Sequence, residues 1–267
     1  MVKRSTKRKL SQATLYAVLA ALLLLVVLAA DWSTIRANFF APEGLGSDGT
    51  WPELILTGVK NTLIYTTIAF MGGLVLALLL ALMKMSPLAP YRWLATSVVE
   101  FFRGLPSLIV ILFMAFGIPI AFQWTPPGGT LGAGLIGLIL VAGAYMAETL
   151  RAGIQAVPKG QSEAARSLGM SSGRTMVTVV LPQAFRIVVP PLTNEFVLLI
   201  KDTALLFVVG MQVDQRELTT LARDLLASGP TAGTSTSLVQ AAILYLAITL
   251  PLTRLVAWLE TRQRRSR

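Results

Sequence analysis

Charge-free apolar runs recur along this chain, and no other feature restricts its fold as severely, because about 20 apolar residues at 1.5 Å rise are enough to cross a ~30 Å hydrocarbon layer. Leu10 to Ala30 and Asn61 to Met83 are two such runs. The long uncharged interval between Arg103 and Glu148 is split by the Pro- and Gly-rich stretch Gln123 to Gly129, which reads as a turn between a third and a fourth. Ile187 to Gly210 is a fifth, interrupted by Glu195, Lys201 and Asp202, and Ser237 to Trp258 is a sixth. In lipid every backbone polar group must bond within its own segment. The expected fold is therefore an all-α integral membrane protein, a polytopic bundle of about six transmembrane helices. A composition of 54% hydrophobic and 13% charged residues agrees.

The side on which each loop lies follows from the 23 Lys and Arg residues, since basic residues in short loops stay on the cytoplasmic side. Lys3 to Lys9 precede the first run; Lys84, Arg92 and Arg103 separate the second and third; Arg151, Lys159, Arg166, Arg174 and Arg186 separate the fourth and fifth; Arg254, Arg262, Arg264, Arg265 and Arg267 close the chain. Threading six spans in order puts all four regions on one face and leaves Lys60, Arg36, Arg216 and Arg223 for the other. Both termini are expected in the cytoplasm of a bacterial cell, with the chain crossing its inner membrane many times. The +10 net charge sits beside membrane ends, so nucleic acid is excluded as a partner. The first run also resembles a secretory signal, with a basic start and Leu28-Ala29-Ala30 before Asp31; its long apolar core and poor small-x-small pattern favour a retained helix.

With no His and no Cys, the chain offers no catalytic triad or dyad, no thiolate or imidazole metal site, and no catalytic or metal-binding residue is assigned. No P-loop occurs either, so no cofactor is expected and any ATP chemistry belongs to another subunit.

One polar interval is too large for a simple connection: Arg151 to Pro182, RAGIQAVPKGQSEAARSLGMSSGRTMVTVVLP. Pro158 and Gly160 are expected to end the fourth helix, and Ser162 to cap a new short one with Glu163 near its positive end. Ala164, Ala165 and Leu168 give that helix a small-side-chain face, and Gly169 suits the left-handed residue that stops it. Ser171 or Ser172 caps a second short helix running to Leu181, with Pro182 marking a break before the fifth span. Such an elbow fits a groove on another protein, with Glu163, Arg166 and Arg174 as charges at its rim.

The spacing Glu163-Ala164-Ala165, Gly169 four residues later, then Leu181-Pro182 resembles the EAA loop of permease subunits of ATP-binding-cassette importers. Phe101 to Pro119, Ala144 to Met170 and Leu181 to Leu206 resemble the polar amino-acid branch of that family. Val179 replaces a usual Ile, Ala204 a usual Ser, and Leu105 and Ser107 a usual Thr and Leu. The resemblance implies a five-helix importer core over residues 51–267, preceded by a basic N-terminus, an extra helix and an outer loop in residues 1–50. It implies a second permease subunit, a pair of ATPase subunits docked on the cytoplasmic side, an extracytoplasmic solute-binding protein, and a polar amino acid as solute. Residues Ser162, Glu163, Ala164, Ala165, Arg166, Leu168 and Gly169 would then form the coupling helix of the loop at about 151–186.

Ionisable residues at membrane depth cost at least ~2.5 kcal/mol each to bury and so usually face a partner or a cavity. Glu148 is one turn from Arg151, which allows an intrahelical pair or a solute contact. Glu195 and Asp202, seven apart, share a helix face with Leu198, whereas Lys201 points elsewhere. That stripe, with Asn194 nearby, could line the solute pathway or pair with basic residues of the assembly. Arg103 is expected to anchor the inner end of the third span and Pro106 to kink it. Gly132, Gly134, Gly137 and Gly143 would permit close helix approach, including across a subunit interface. A nucleotide-independent channel or secondary transporter would share the spans but does not need so elaborate an inner loop; a membrane scaffold could dock a cytoplasmic protein through that loop, but the carboxylates and Lys201 in the fifth span argue against it.

Overall fold

The computed structural model describes residues 2–45 and 49–265, with side chains over 12–44 and 49–263. The basic side chains at Lys3 to Lys9 and Arg264 to Arg267 lie outside what is described. Among the described residues all regular structure is helical. Helix α1 (Val2–Ala29) carries no buried side chain over Gln12–Ala29. At its end Asp31 caps α2 (Trp32–Phe39), accepting from the amides of Ser33 and Thr34 at 3.0 and 3.1 Å. The Ser33 and Thr34 hydroxyls also bond this carboxylate and hold Asp31 below the usual carboxylate range.

Helix α3 (Trp51–Lys84) opens with a π-helical stretch at Leu54–Val59 and is the first long helix of the bundle. Next come α4 (Ala89–Gly104) and α5 (Ser107–Phe122), bent by 106° where they meet. A kink at Pro106 was expected; the chain breaks there instead. Leu105, ahead of the proline, is forced to an extended ψ of 143°, and Pro106 at ψ 131° starts the next helix without an amide to give. The amphipathic α4 was not anticipated. It buries Ala95 and Val99 while leaving Trp93, Leu94 and Phe101 exposed, the pattern of a helix lying along a membrane surface.

Helix α6 (Gly129–Gln155) runs through the middle of the bundle, between α3, α4, α5 and a later helix, α8 (residues 172–202). Its Gly and Ala positions are why it fits: a Cβ on Gly143 would sit 2.7 Å from Leu76, and one on Gly137 3.1 Å from the Ile111 backbone. These close approaches, like that of Gly134 to Leu206 and Val209, lie within one chain, and Gly132 abuts Pro127 of its own turn. None of the four therefore needs a second subunit to explain it. The fully buried Ile111, Leu138, Met146 and Leu206 fill the core between these helices.

After the elbow formed by α7 (Lys159–Ser167), α8 passes through a π-helical stretch at Met176–Val180 and continues to Asp202. The break expected at Pro182 is absent. The carbonyl that a proline at 182 cannot bond belongs to Thr178, inside the wide π turn, so the helix absorbs the missing donor locally. A 3-10 segment, Thr203–Val209, ends at Gly210, and the short α9 (Leu218–Ala227) leads to α10 (Thr236–Arg265). At this end of the bundle Asn61 and Tyr65 donate to the carbonyls of Asp214, Gln215 and Arg216 at 2.7–3.0 Å. The buried Glu217 caps α9, accepting from the Thr219 and Thr220 amides.

Among the described residues four helices, α1, α3, α6 and α10, are long and apolar enough to cross a membrane, and there are five if the bent α4–α5 pair is one span.

Candidate functional site

Two features carry chemistry: the elbow between α6 and α8, and a cavity above it. The elbow begins four residues earlier than its sequence suggests. Pro158, extended at ψ 129°, precedes the first turn of α7, and Ser162 lies inside the helix, donating to Lys159 O at 2.8 Å instead of capping. Gly160 likewise belongs to α7. Proline's fixed φ and absent amide make it a better helix starter than a serine four residues on. The end of α7 is where the sequence placed it. Gly169 has φ +84°, its amide bonds Arg166 O at 3.0 Å, and the Met170 amide bonds Ala165 O at 3.2 Å, which together close a Schellman cap. Ser171 then caps the following turn, accepting from the Arg174 amide.

The small face read from sequence is divided. Ala165 is 6% exposed and turned into the protein, whereas Leu168 is 85% exposed and points away with Glu163, Ala164 and Arg166. Residues 164, 165 and 168 span 100° of helix, narrow enough for one face, but Leu168 is the C-cap residue and packing of the elbow's root takes Ala165 alone inward. Among the described residues no ion pair involves Glu163, Arg166 or Arg174, which leaves the outer face with an apolar tip and unmatched charges. The elbow's root is stiff: Val157, Val180 and Ala184 form a small core with Ile154 and Ile187, and Gln183 Nε2 lies 3.5 Å from Gln161 Oε1. Gly153 allows α6 to meet α8 there, since its Cβ would lie 2.0 Å from Val188 Cγ1.

The cavity, of about 330 Å3, lies where α5, α6 and α8 meet. Glu195, Leu198 and Asp202 line it from α8, as their shared face requires, and Leu138, Tyr145 and Ser107 close it. No basic side chain lines it. Arg103 stacks at 5.5 Å on the ring of Tyr145, one of the residues lining the cavity. Asn194 is exposed and outside the cavity, one residue out of phase with the acidic stripe, and Lys201 is exposed as well. Glu148 is also not part of it. Its carboxylate takes Lys84 Nζ at 2.9 Å and Arg151 Nε at 3.0 Å, so the intrahelical pair foreseen with Arg151 is joined by a cation from α3. Tyr145 and Ser107 were not singled out as pathway residues. Tyr145 lies one turn beyond Val141 and two beyond Leu138 on the face of α6 that lines the cavity, a face that only the packing of α6 against α8 identifies.

A family model described as "binding-protein-dependent transport system inner membrane component" matches residues 73–265. The probable glutamine ABC transporter permease protein GlnM of Bacillus subtilis (strain 168) is 36% identical over 225 residues, covering 80% of this chain and 95% of that protein. The glutamate/aspartate import permease protein GltK of Escherichia coli O157:H7 is 32% identical, over 87% of this chain and 97% of its own length. Among solved structures, a chain of an amino acid ABC transporter crystallised with histidines superimposes with a TM-score of 0.71 at 36% identity, over 80% of this chain and 95% of that one.

Proposed function

Since the chain belongs to the family of binding-protein-dependent transport system inner membrane components, we propose that it forms the pathway of a polar amino-acid importer and is driven through its elbow by a separate ATPase. It is a multi-pass permease subunit of the ATP-binding-cassette type. Helix α8 is its sixth crossing: the 22 residues Leu181–Asp202 extend about 33 Å, and their charges face the cavity or lie at the ends. Residues 1–50 add a helix and outer segment to the core in 51–267, and both termini lie in the cytoplasm with the elbow. ATP hydrolysis resides in partner subunits, and an extracytoplasmic binding protein delivers the solute.

The observation that carries this reading is the mechanical line from elbow to cavity. The same two helices that hold α7 at their inner ends, α6 and α8, supply most of the acidic cavity's wall. An ATPase pair gripping Glu163, Arg166 and Leu168 would move α7; the stiff root would pass the motion to α6 and α8, opening the cavity to alternate sides. Glu195 and Asp202 receive the solute's ammonium group, and Arg103, stacked on Tyr145, is the cation offered to its carboxylate. Chemistry on the phosphate is left to the partner; this chain binds, orients and moves.

The test is reconstitution of the permease with its ATPase and binding protein in proteoliposomes. Solute-stimulated ATP hydrolysis is expected, and Gly169→Asp is expected to weaken it severalfold or more. Unchanged stimulation in that variant, or uptake by the permease without any ATPase, would sink the proposal; the second result would point to a secondary transporter.

A further inference from the structure

A cleft of about 540 Å3 lies between α8 and α10, apart from both elbow face and acidic cavity. Two guanidinium groups reach it from different helices, Arg186 on α8 and Arg262 on α10, with Gln263 beside the latter. Among the described residues neither arginine has a carboxylate within ion-pairing distance. Arg262 is steadied instead by the ring of Trp258 at 5.3 Å. The cleft's remaining wall is apolar, with Phe185, Val189 and Leu259. Phe185 and Val189 also line a second cavity, about 320 Å3, that continues up α8 to Leu192 and Phe196 and across to Leu74 on α3.

A paired basic mouth opening into an apolar groove has the shape of an amphiphile. From residue 185 to 196 the groove follows about 16 Å of helix, close to half of a ~30 Å hydrocarbon layer and so one leaflet deep. Trp258 is the residue type that settles at a membrane interface, which places the arginines at headgroup level. Free phosphate would satisfy the arginines but leave the groove without an occupant. We propose that this cleft binds an anionic phospholipid, with Arg186 and Arg262 on the phosphate and an acyl chain along Phe185, Val189, Leu192 and Phe196. The site goes beyond the transport reading. Gln183, two residues before Phe185, contacts Gln161 of α7, so a bound lipid would clamp α8 to α10 next to the elbow's root.

The experiment uses the full permease–ATPase complex, transferred from phosphatidylglycerol into phosphatidylcholine nanodiscs, with retained lipid counted by native mass spectrometry. Wild type is expected to retain phosphatidylglycerol in preference to phosphatidylcholine, and millimolar inorganic phosphate is expected not to displace it. Removing both charges, R186Q with R262Q, should weaken retention about 30-fold, from about 1 kcal/mol per arginine at 1.4 kcal/mol per factor of ten. R186K with R262K should keep most of it, and Leu192→Trp, which fills the groove without touching charge, should weaken it as well. If the doubly neutral variant fails to assemble, R262Q alone is read against R262K. Retention that ignores the charge changes, displacement by inorganic phosphate, or lipid bound to the isolated permease but excluded from the assembled complex would each overturn the assignment.

Discussion

Gly169 is the position at which the coupling argument can be tested most sharply, because its role can be separated from its size. Its φ of +84° lies in the left-handed region, and a Cβ built there meets nothing within 4 Å. Any loss on substitution is therefore conformational within this chain. An L-residue such as alanine pays about 1–2 kcal/mol in that region. If ATPase docking requires the capped elbow, the docked fraction falls about 5- to 30-fold at 1.4 kcal/mol per decade. Asparagine, which tolerates this conformation, should lose less. Aspartate shares that tolerance but sets a negative charge at the negative end of α7, adding about 0.3–1 kcal/mol. The assay is titration of ATPase subunit against permease in proteoliposomes, reading the concentration for half-maximal solute-stimulated hydrolysis. The expected order is Gly tightest, then Asn, then Ala and Asp. An alanine variant equal to wild type, or an asparagine variant weaker than alanine, would refute the reasoning, the latter by showing that the partner reads side-chain size.

At the elbow's root, Gly153→Ala should cost about 1–3 kcal/mol by overpacking against Val188. Adding Val188→Ala should recover most of it, since the nearest atom left is a Cβ at 3.4 Å; a double variant that melts below the single one in detergent contradicts this packing. Glu148→Gln removes the carboxylate beside Lys84, whose side chain is 10% exposed, and should lower stability by about 3 kcal/mol. Lys84→Gln in the same chain should return most of the denaturation midpoint, because the more deeply buried of the two cations is then gone and Arg151 keeps its bond to Gln155. In the cavity, Glu195→Gln and Asp202→Asn should each raise the solute concentration for half-maximal uptake by about tenfold or more, the value of a charged hydrogen bond. Uptake and solute preference that survive both replacements would remove these acids from the pathway.

The local signals in this chain were faithful about what forms and poor about what it faces. Runs of apolar residues announced α1, α3, α6 and α10, and Gly169 announced the end of α7, because length, hydropathy and φ preference act over a few residues. The seven-residue spacing of Glu195 and Asp202 put both on one face, and both line one cavity. The same local logic failed at prolines: Pro106 broke a helix that was expected only to kink, and Pro182 passed through one expected to break. The outcome depends on whether neighbouring backbone can take up the lost hydrogen bond, as the π turn at Met176–Val180 does. Sequence determined that the chain is helical, membrane-spanning and bent into a capped elbow between two long helices. Only tertiary packing decided that Ala165 turns inward while Leu168 points out, that Lys84 answers Glu148, and that Tyr145 joins the acids of α8. Each of those is a meeting between helices far apart in the chain, set by which small residues let their backbones approach, and no single helix's periodicity contains it.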